Sequence, residues 1–146
     1  MEFAEEFERD FMKRTLQLLM DYPGEYEATL LLNCLLGLLV VPKETSLEKI
    51  PTDPISEFHK WGISPESIKS FGRMNRTNQY PETLRGVVYN LRNSVAHFRI
   101  RPVEENSRVR GFSFTDMNGF AATIDIKEMR SFVERLASYL ERSIKQ

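Results

Sequence analysis

Apolar side chains return at helical intervals from the start of the chain. Phe3, Phe7, Phe11, Leu18 and Leu19, with Thr15 and Tyr22, mark one stripe, so residues 3–22 are expected to form an amphipathic helix. Pro23-Gly24 should end it. Residues 25–41 are apolar on almost every side, which predicts a helix at the centre of the fold, stopped by Pro42. Asp53 before Pro54 and Ser64 before Pro65 each set a capping side chain ahead of a proline, the signature of a helix start. Short helices over 54–61 and 64–71 are the expectation, followed by a polar, basic loop at 72–80. Leu84, Val88, Leu91, Val95 and Phe98 then alternate steps of four and three, which predicts a helix opened by Pro81 and running to residue 98.

Beyond that helix the period shortens to two. Residues 110–114 and 120–126 alternate like strands, with Asp116-Met117-Asn118-Gly119 as a turn between them. They form either a small appendage or part of a sheet. Met129, Phe132, Val133, Leu136, Tyr139, Leu140 and Ile144 restore helical spacing over 127–144. The architecture expected is mainly α: a bundle of four to six helices with a small β-hairpin before the C-terminal helix, in a single domain over residues 1–146.

The single cysteine, Cys34, excludes an internal disulfide and a multi-cysteine zinc site, and its apolar surroundings predict a buried, inert thiol. The apolar run from Leu30 to Val41, interrupted by Asn33 and Gly37, is too short to cross a bilayer. Glu2, Glu5, Glu6 and Glu8 do not fit a targeting leader. A cytoplasmic protein with no membrane partner is the expectation.

Charge changes the picture more. The formal net charge is only −1, but residues 67–103 hold Lys69, Arg73, Arg76, Arg85, Arg92, Arg99 and Arg101 against Glu82 alone. Residues 1–66 carry the compensating acidic excess. A local positive field in an otherwise acidic chain attracts polyanions; the same arginines could instead pair with the acidic first helix.

Inside this segment lies Arg92-Asn93-Ser94-Val95-Ala96-His97. A guanidinium grips phosphate oxygens with two prongs, and an imidazole moves protons near neutral pH. On a helix Asn93 and His97 share a face, and Arg92 can bend its head over it. Gly86 and Asn90 extend the same strip and predict a groove lined by small and amide side chains. The plainer account makes His97 a helix-end histidine set against the helix dipole and Arg92 a surface ion-pair former.

This Arg-Asn-x-x-x-His motif, late in a helix, resembles the signature of the HEPN superfamily of small helical domains. Residues 26–44, Tyr-Glu-Ala-Thr-Leu-Leu-Leu-Asn-Cys-Leu-Leu-Gly-Leu-Leu-Val-Val-Pro-Lys-Glu, look like the central helix of a plasmid-associated bacterial branch of it. The hairpin before a final helix looks similar too. The resemblance implies a metal-independent endoribonuclease acting as a two-fold homodimer on RNA, often within toxin–antitoxin or phage-defence systems and sometimes with a cognate antitoxin protein. Arg92 and His97 would be the catalytic pair and Asn93 the polar helper. HEPN toxins silenced by nucleotidyl transfer carry a tyrosine two residues after the histidine; here that position is Arg99, which departs from that mode of control. The alternatives are a non-catalytic RNA- or protein-binding helical dimer module, and a purely structural dimer.

Arg73, Arg76, Arg99 and Arg101 are the candidate RNA contacts, with Asn75 and Tyr80 beside the first two and a solvated loop as the competing account. His59, beside Trp61, has no partner at ligand spacing and is expected to be structural. No metal site or cofactor is expected, and no phosphate-cradling glycine loop is present in the sequence.

Overall fold

The computed structural model describes residues 2–21, 28–42 and 44–144. Helix α1 covers Glu2–Asp21 and α2 covers Ala28–Val40, with a short α3 at Glu44–Leu47. Two 3-10 segments follow, Ile55–Trp61 and Pro65–Ser67, and then strand β1, Ile68–Ser70. Helix α4 is Leu84–Ala96; β2, β3 and β4 are Ile100–Glu105, Arg108–Thr115 and Ala121–Asp125; α5 is Ile126–Ile144. Tyr22, the Pro23-Gly24 stop and the expected start of the second helix at residue 25 lie outside the described residues.

The mainly α bundle with an appended hairpin is not what forms. The expected hairpin is the centre of a four-stranded antiparallel sheet, ordered β1-β4-β3-β2, so the fold is mixed α/β. The two missed strands carry weak patterns for physical reasons. β2 is the sheet edge, where Pro102 lacks a donor without cost, and only Ile100 and Val103 of its six residues are even half-buried. It joins β3 through Asn106 and Ser107, both with positive φ (55° and 64°), the backbone of a tight two-residue hairpin turn that usually advertises itself with glycine. β1 is three residues long and pairs Ile68 with Ala122, too brief for any period to show.

The proline-led helix starts fare differently from expectation as well. The short helix expected over 54–61 forms as a 3-10 helix, Ile55–Trp61, but Asp53 does not cap it; its carboxylate accepts the indole N–H of Trp61 at 3.1 Å. Ser64 leads only the single turn Pro65–Ser67 before the chain extends into β1. Its backbone N–H is taken instead by Glu128 at 2.9 Å, and Ser67 Oγ donates to the same carboxylate at 2.7 Å. Burial pushes the Glu128 carboxyl up, but these bonds outweigh it and leave its pKa below the ordinary glutamate value.

One face of the sheet is covered. Phe112 and Phe114 of β3 and Ala122 and Ile124 of β4 point into a core completed by Leu35, Leu38 and Leu39 of α2, Leu84, Val88 and Leu91 of α4, and Phe132, Val133 and Leu136 of α5. Ser113, Thr123 and Asp125 alternate with them on the opposite, more open face. α5 is the central support, packed on α1, α2 and the sheet, and Asp125 caps its first turn by accepting the Glu128 N–H at 2.8 Å. Cys34 is buried, and burial raises its thiol pKa against a smaller opposing effect of Arg130. Among the described residues no helix is long and apolar enough to cross a membrane.

Candidate functional site

Helix α4 begins at Thr83 rather than Pro81: the Thr83 hydroxyl accepts the Gly86 N–H at 3.2 Å, an ordinary N-cap. Its apolar stripe holds through Val95 and then breaks. The helix ends at Ala96, with His97 as its C-cap and Phe98 in the left-handed region at φ 57°. Phe98 N–H bonds to the Val95 carbonyl at 3.0 Å and Arg99 N–H to the Ser94 carbonyl at 2.8 Å, a Schellman closure. That reversal throws Phe98 off the core stripe; it is 90% exposed. A phenylalanine where glycine is usual costs about 1 kcal/mol of backbone strain.

The same closure fixes what the last turn presents. Arg92 and Asn93 are half-buried on α4, while the His97 ring, 59% exposed, stands at the helix end. His97 N–H bonds to the Asn93 carbonyl at 2.9 Å, so the two share a face as their spacing implies. The partner of the imidazole comes from elsewhere in the chain. Asp116, at the tip of the β3–β4 hairpin, sets Oδ1 2.6 Å from His97 Nδ1, and its side chain is only 3% exposed. A carboxylate there holds the proton on Nδ1 and leaves Nε2 as the nitrogen offered to a substrate. Asn93 does not take this role: its Nδ2 lies 3.5 Å from the Tyr80 hydroxyl.

Three further bonds stitch the hairpin to the helix and the residues just after it, and a fourth, inside α4, holds the Asn90 amide that takes part. Ser94 Oγ donates to the Thr115 carbonyl at 2.6 Å, Thr115 N–H to the Arg99 carbonyl at 3.1 Å, Asn118 Nδ2 to Asn90 Oδ1 at 3.1 Å, and Asn90 Nδ2 to the Gly86 carbonyl at 2.9 Å. The strip through Gly86 and Asn90 is therefore closed over at Asn90, while Gly86 lines a cleft beside the first turns of the helix. Asn90 is buried beneath Asn118 of the hairpin tip, and its amide is consumed in this contact, while Gly86 packs against the Pro81 carbonyl. The C-terminal end of the strip, at His97, stays open too.

The 72–80 loop reaches the same place. Arg73 N–H bonds to the Asn118 carbonyl at 3.0 Å, and Gly72 lies so close to the Asn118 amide that a Cβ would collide with it. The Arg73 and Arg76 side chains are exposed on this loop, with Arg73 Nη1 donating to the Arg76 carbonyl at 3.0 Å. Arg99 is exposed directly after Phe98, and Arg101 lies further along the edge strand β2, opposite Ser113. The loop, helix end and hairpin thus converge, with Arg101 at the margin. Arg85, also basic, turns inward and donates Nε–H to the Ile50 carbonyl at 2.9 Å. His59 is exposed on its 3-10 segment, away from this convergence in the chain, and its backbone carbonyl accepts from Gly62 and Arg135.

Sequence reasoning missed Asp116 and Asn118. Both sit in a tetrapeptide whose composition already explains a turn, so nothing pointed further. Two large apolar side chains flank the dyad in solvent, Phe98 and Met117, the latter 87% exposed.

A family model described as HEPN pEK499 p136 matches residues 1–146. No curated protein and no solved structure matched the chain.

Proposed function

This chain belongs to the HEPN family described as pEK499 p136, and from that membership we propose that it is an endoribonuclease whose own side chains cut RNA. The observation that carries the reading is the 2.6 Å contact of His97 with buried Asp116, one turn from Arg92 and Asn93. A histidine serving only as a helix end would have no need of a buried carboxylate on Nδ1. A histidine that must present Nε2 in a fixed tautomer does.

In the proposed reaction the RNA 2′-hydroxyl attacks the adjacent phosphorus. One His97 takes the hydroxyl proton through Nε2, and Arg92 offsets the charge that gathers on the phosphorane oxygens. The P–O5′ bond then breaks, a second imidazolium protonates the leaving 5′-oxygen, and the products are a 2′,3′-cyclic phosphate and a free 5′-hydroxyl. Asn93 helps to place the phosphate. Arg73, Arg76, Arg99 and Arg101 guide the strand by contact with other phosphates. Digestion of single-stranded RNA that persists in EDTA is the expected result, and loss of all cutting on chelation contradicts it.

One protomer supplies one His97, and the reaction uses a base and an acid. A two-fold homodimer that faces two motifs across one cleft supplies both. Phe98 and Met117 favour this arrangement, because exposed apolar side chains on each side of a polar dyad suit burial against a second copy. Light scattering at micromolar concentration should therefore give twice the chain mass, and Phe98→Asp should shift the protein toward monomer with its melting temperature kept. A monomeric wild-type chain would rule the shared cleft out. A toxin–antitoxin or phage-defence setting, with a cognate antitoxin, belongs to the same proposal.

A further inference from the structure

Alongside the first turns of α4 lies a cleft of about 390 Å³ that the cleavage chemistry does not use. Met74, Tyr80, Pro81, Thr83, Arg85 and Tyr89 line it. The rings of Tyr80 and Tyr89 stack with centroids 6.4 Å apart and planes 24° from parallel. We propose that this cleft is a nucleobase subsite, in which one base of a single-stranded RNA stacks on the tyrosine pair while the strand continues to His97.

Four observations converge on that occupant. Both near-parallel tyrosine rings line the cleft, and every base has a π-face to stack on such a ring. No acidic side chain lines the cleft; its one charged residue is Arg85, held in place by its bond to the Ile50 carbonyl. A guanidinium beside aromatic rings suits an electron-rich base and its phosphate. The cleft also connects to the dyad, since the Tyr80 hydroxyl lies 3.5 Å from the Asn93 amide, one helical turn from His97. From Tyr89 to His97 the helix rises about 12 Å, a distance that a few nucleotides of single strand span.

The walls are held rather than loosely packed. Tyr80 N–H bonds to the Gly72 carbonyl at 2.8 Å and Met74 N–H to the Asn78 carbonyl at 2.9 Å. On the other side Gly86 lets the Pro81 carbonyl approach so closely that any Cβ would strike it. A cleft framed this way keeps its shape before a ligand arrives, which lowers the entropy lost on binding.

The proposal rests on the RNA reading, and the test separates the two. Binding of a single-stranded oligoribonucleotide carrying one 2-aminopurine is measured in a His97→Ala background, where the strand is not expected to be cut. Its fluorescence should be quenched on binding. Tyr89→Leu should weaken affinity on the order of 10-fold and remove most of the quench, while Tyr89→Phe keeps both. Tyr89 is half-buried, so a second variant leaves the core alone: Met74→Glu, at the exposed rim, should abolish the chemical-shift changes that AMP produces at Tyr80 and Tyr89. RNA cut by the wild-type chain but bound equally well by Tyr89→Leu would overturn the subsite and spare the nuclease. AMP shifts at both tyrosines in a chain that cuts no RNA would spare the subsite and overturn the nuclease. Absence of AMP shifts in the wild-type protein, or shifts that Met74→Glu leaves intact, would also overturn the subsite.

Discussion

His97→Ala should lower RNA cleavage by about 100-fold or more and leave RNA binding almost unchanged. The separation follows from where the residue sits. Its ring is more than half exposed at the end of α4, it contributes nothing to the apolar core, and its backbone bond to Asn93 survives the substitution. The fold therefore stays, and so do the arginines proposed to hold the strand. Only the proton transfer is lost, and with a shared cleft both copies are lost at once. Cleavage kinetics and a binding isotherm on the same RNA check the prediction together: equal losses in both would make His97 a binding residue instead.

Asp116→Asn should be nearly as costly, reducing kcat by about 100-fold or more with little change in KM. The exchange is isosteric, and the backbone bonds that form the hairpin tip, Asp116 N–H to Phe120 and Gly119 N–H to Asp116, do not involve the carboxylate. What changes is the direction of one hydrogen bond. An amide that turns its NH₂ toward Nδ1 forces the imidazole proton onto Nε2, where the reaction needs a lone pair. Asp116 is thus a positioning residue, and a drop in kcat at constant KM and constant melting temperature distinguishes that role from a structural one. A variant that cuts at the wild-type rate would show that the 2.6 Å contact only fastens the hairpin to the helix.

How much of this was legible in the sequence depends on the distance over which each feature is encoded. α1, α2 and α5 announce themselves through apolar spacing, because each buries a continuous stripe against its neighbours. The α4 motif was legible for the same reason, since Asn93 and His97 meet within one helical turn. β2 was not, because an edge strand with Pro102 and a half-buried face has neither the alternation nor the donors of an inner strand. Misreading Phe98 as the last core residue of α4 has a local cause: its spacing fits the stripe, but the left-handed turn at that residue overrides the period. Asp116 lies 19 residues from His97 and was accounted for as a turn former, so only the folded hairpin reveals its contact with the imidazole. Asn90 was read as part of a groove lined by small and amide side chains, when the partner that covers it, Asn118, sits 28 residues away.

The central claim is that His97, held by Asp116 and assisted by Arg92, makes the RNA 2′-hydroxyl the nucleophile. End-group analysis of one RNA, digested in EDTA by the wild-type chain and by His97→Ala, tests it most directly. The account predicts 2′,3′-cyclic phosphate and 5′-hydroxyl ends from the wild-type protein and almost no new ends from the variant. Ends bearing 5′-phosphate, or equal yields from the two proteins, would contradict it.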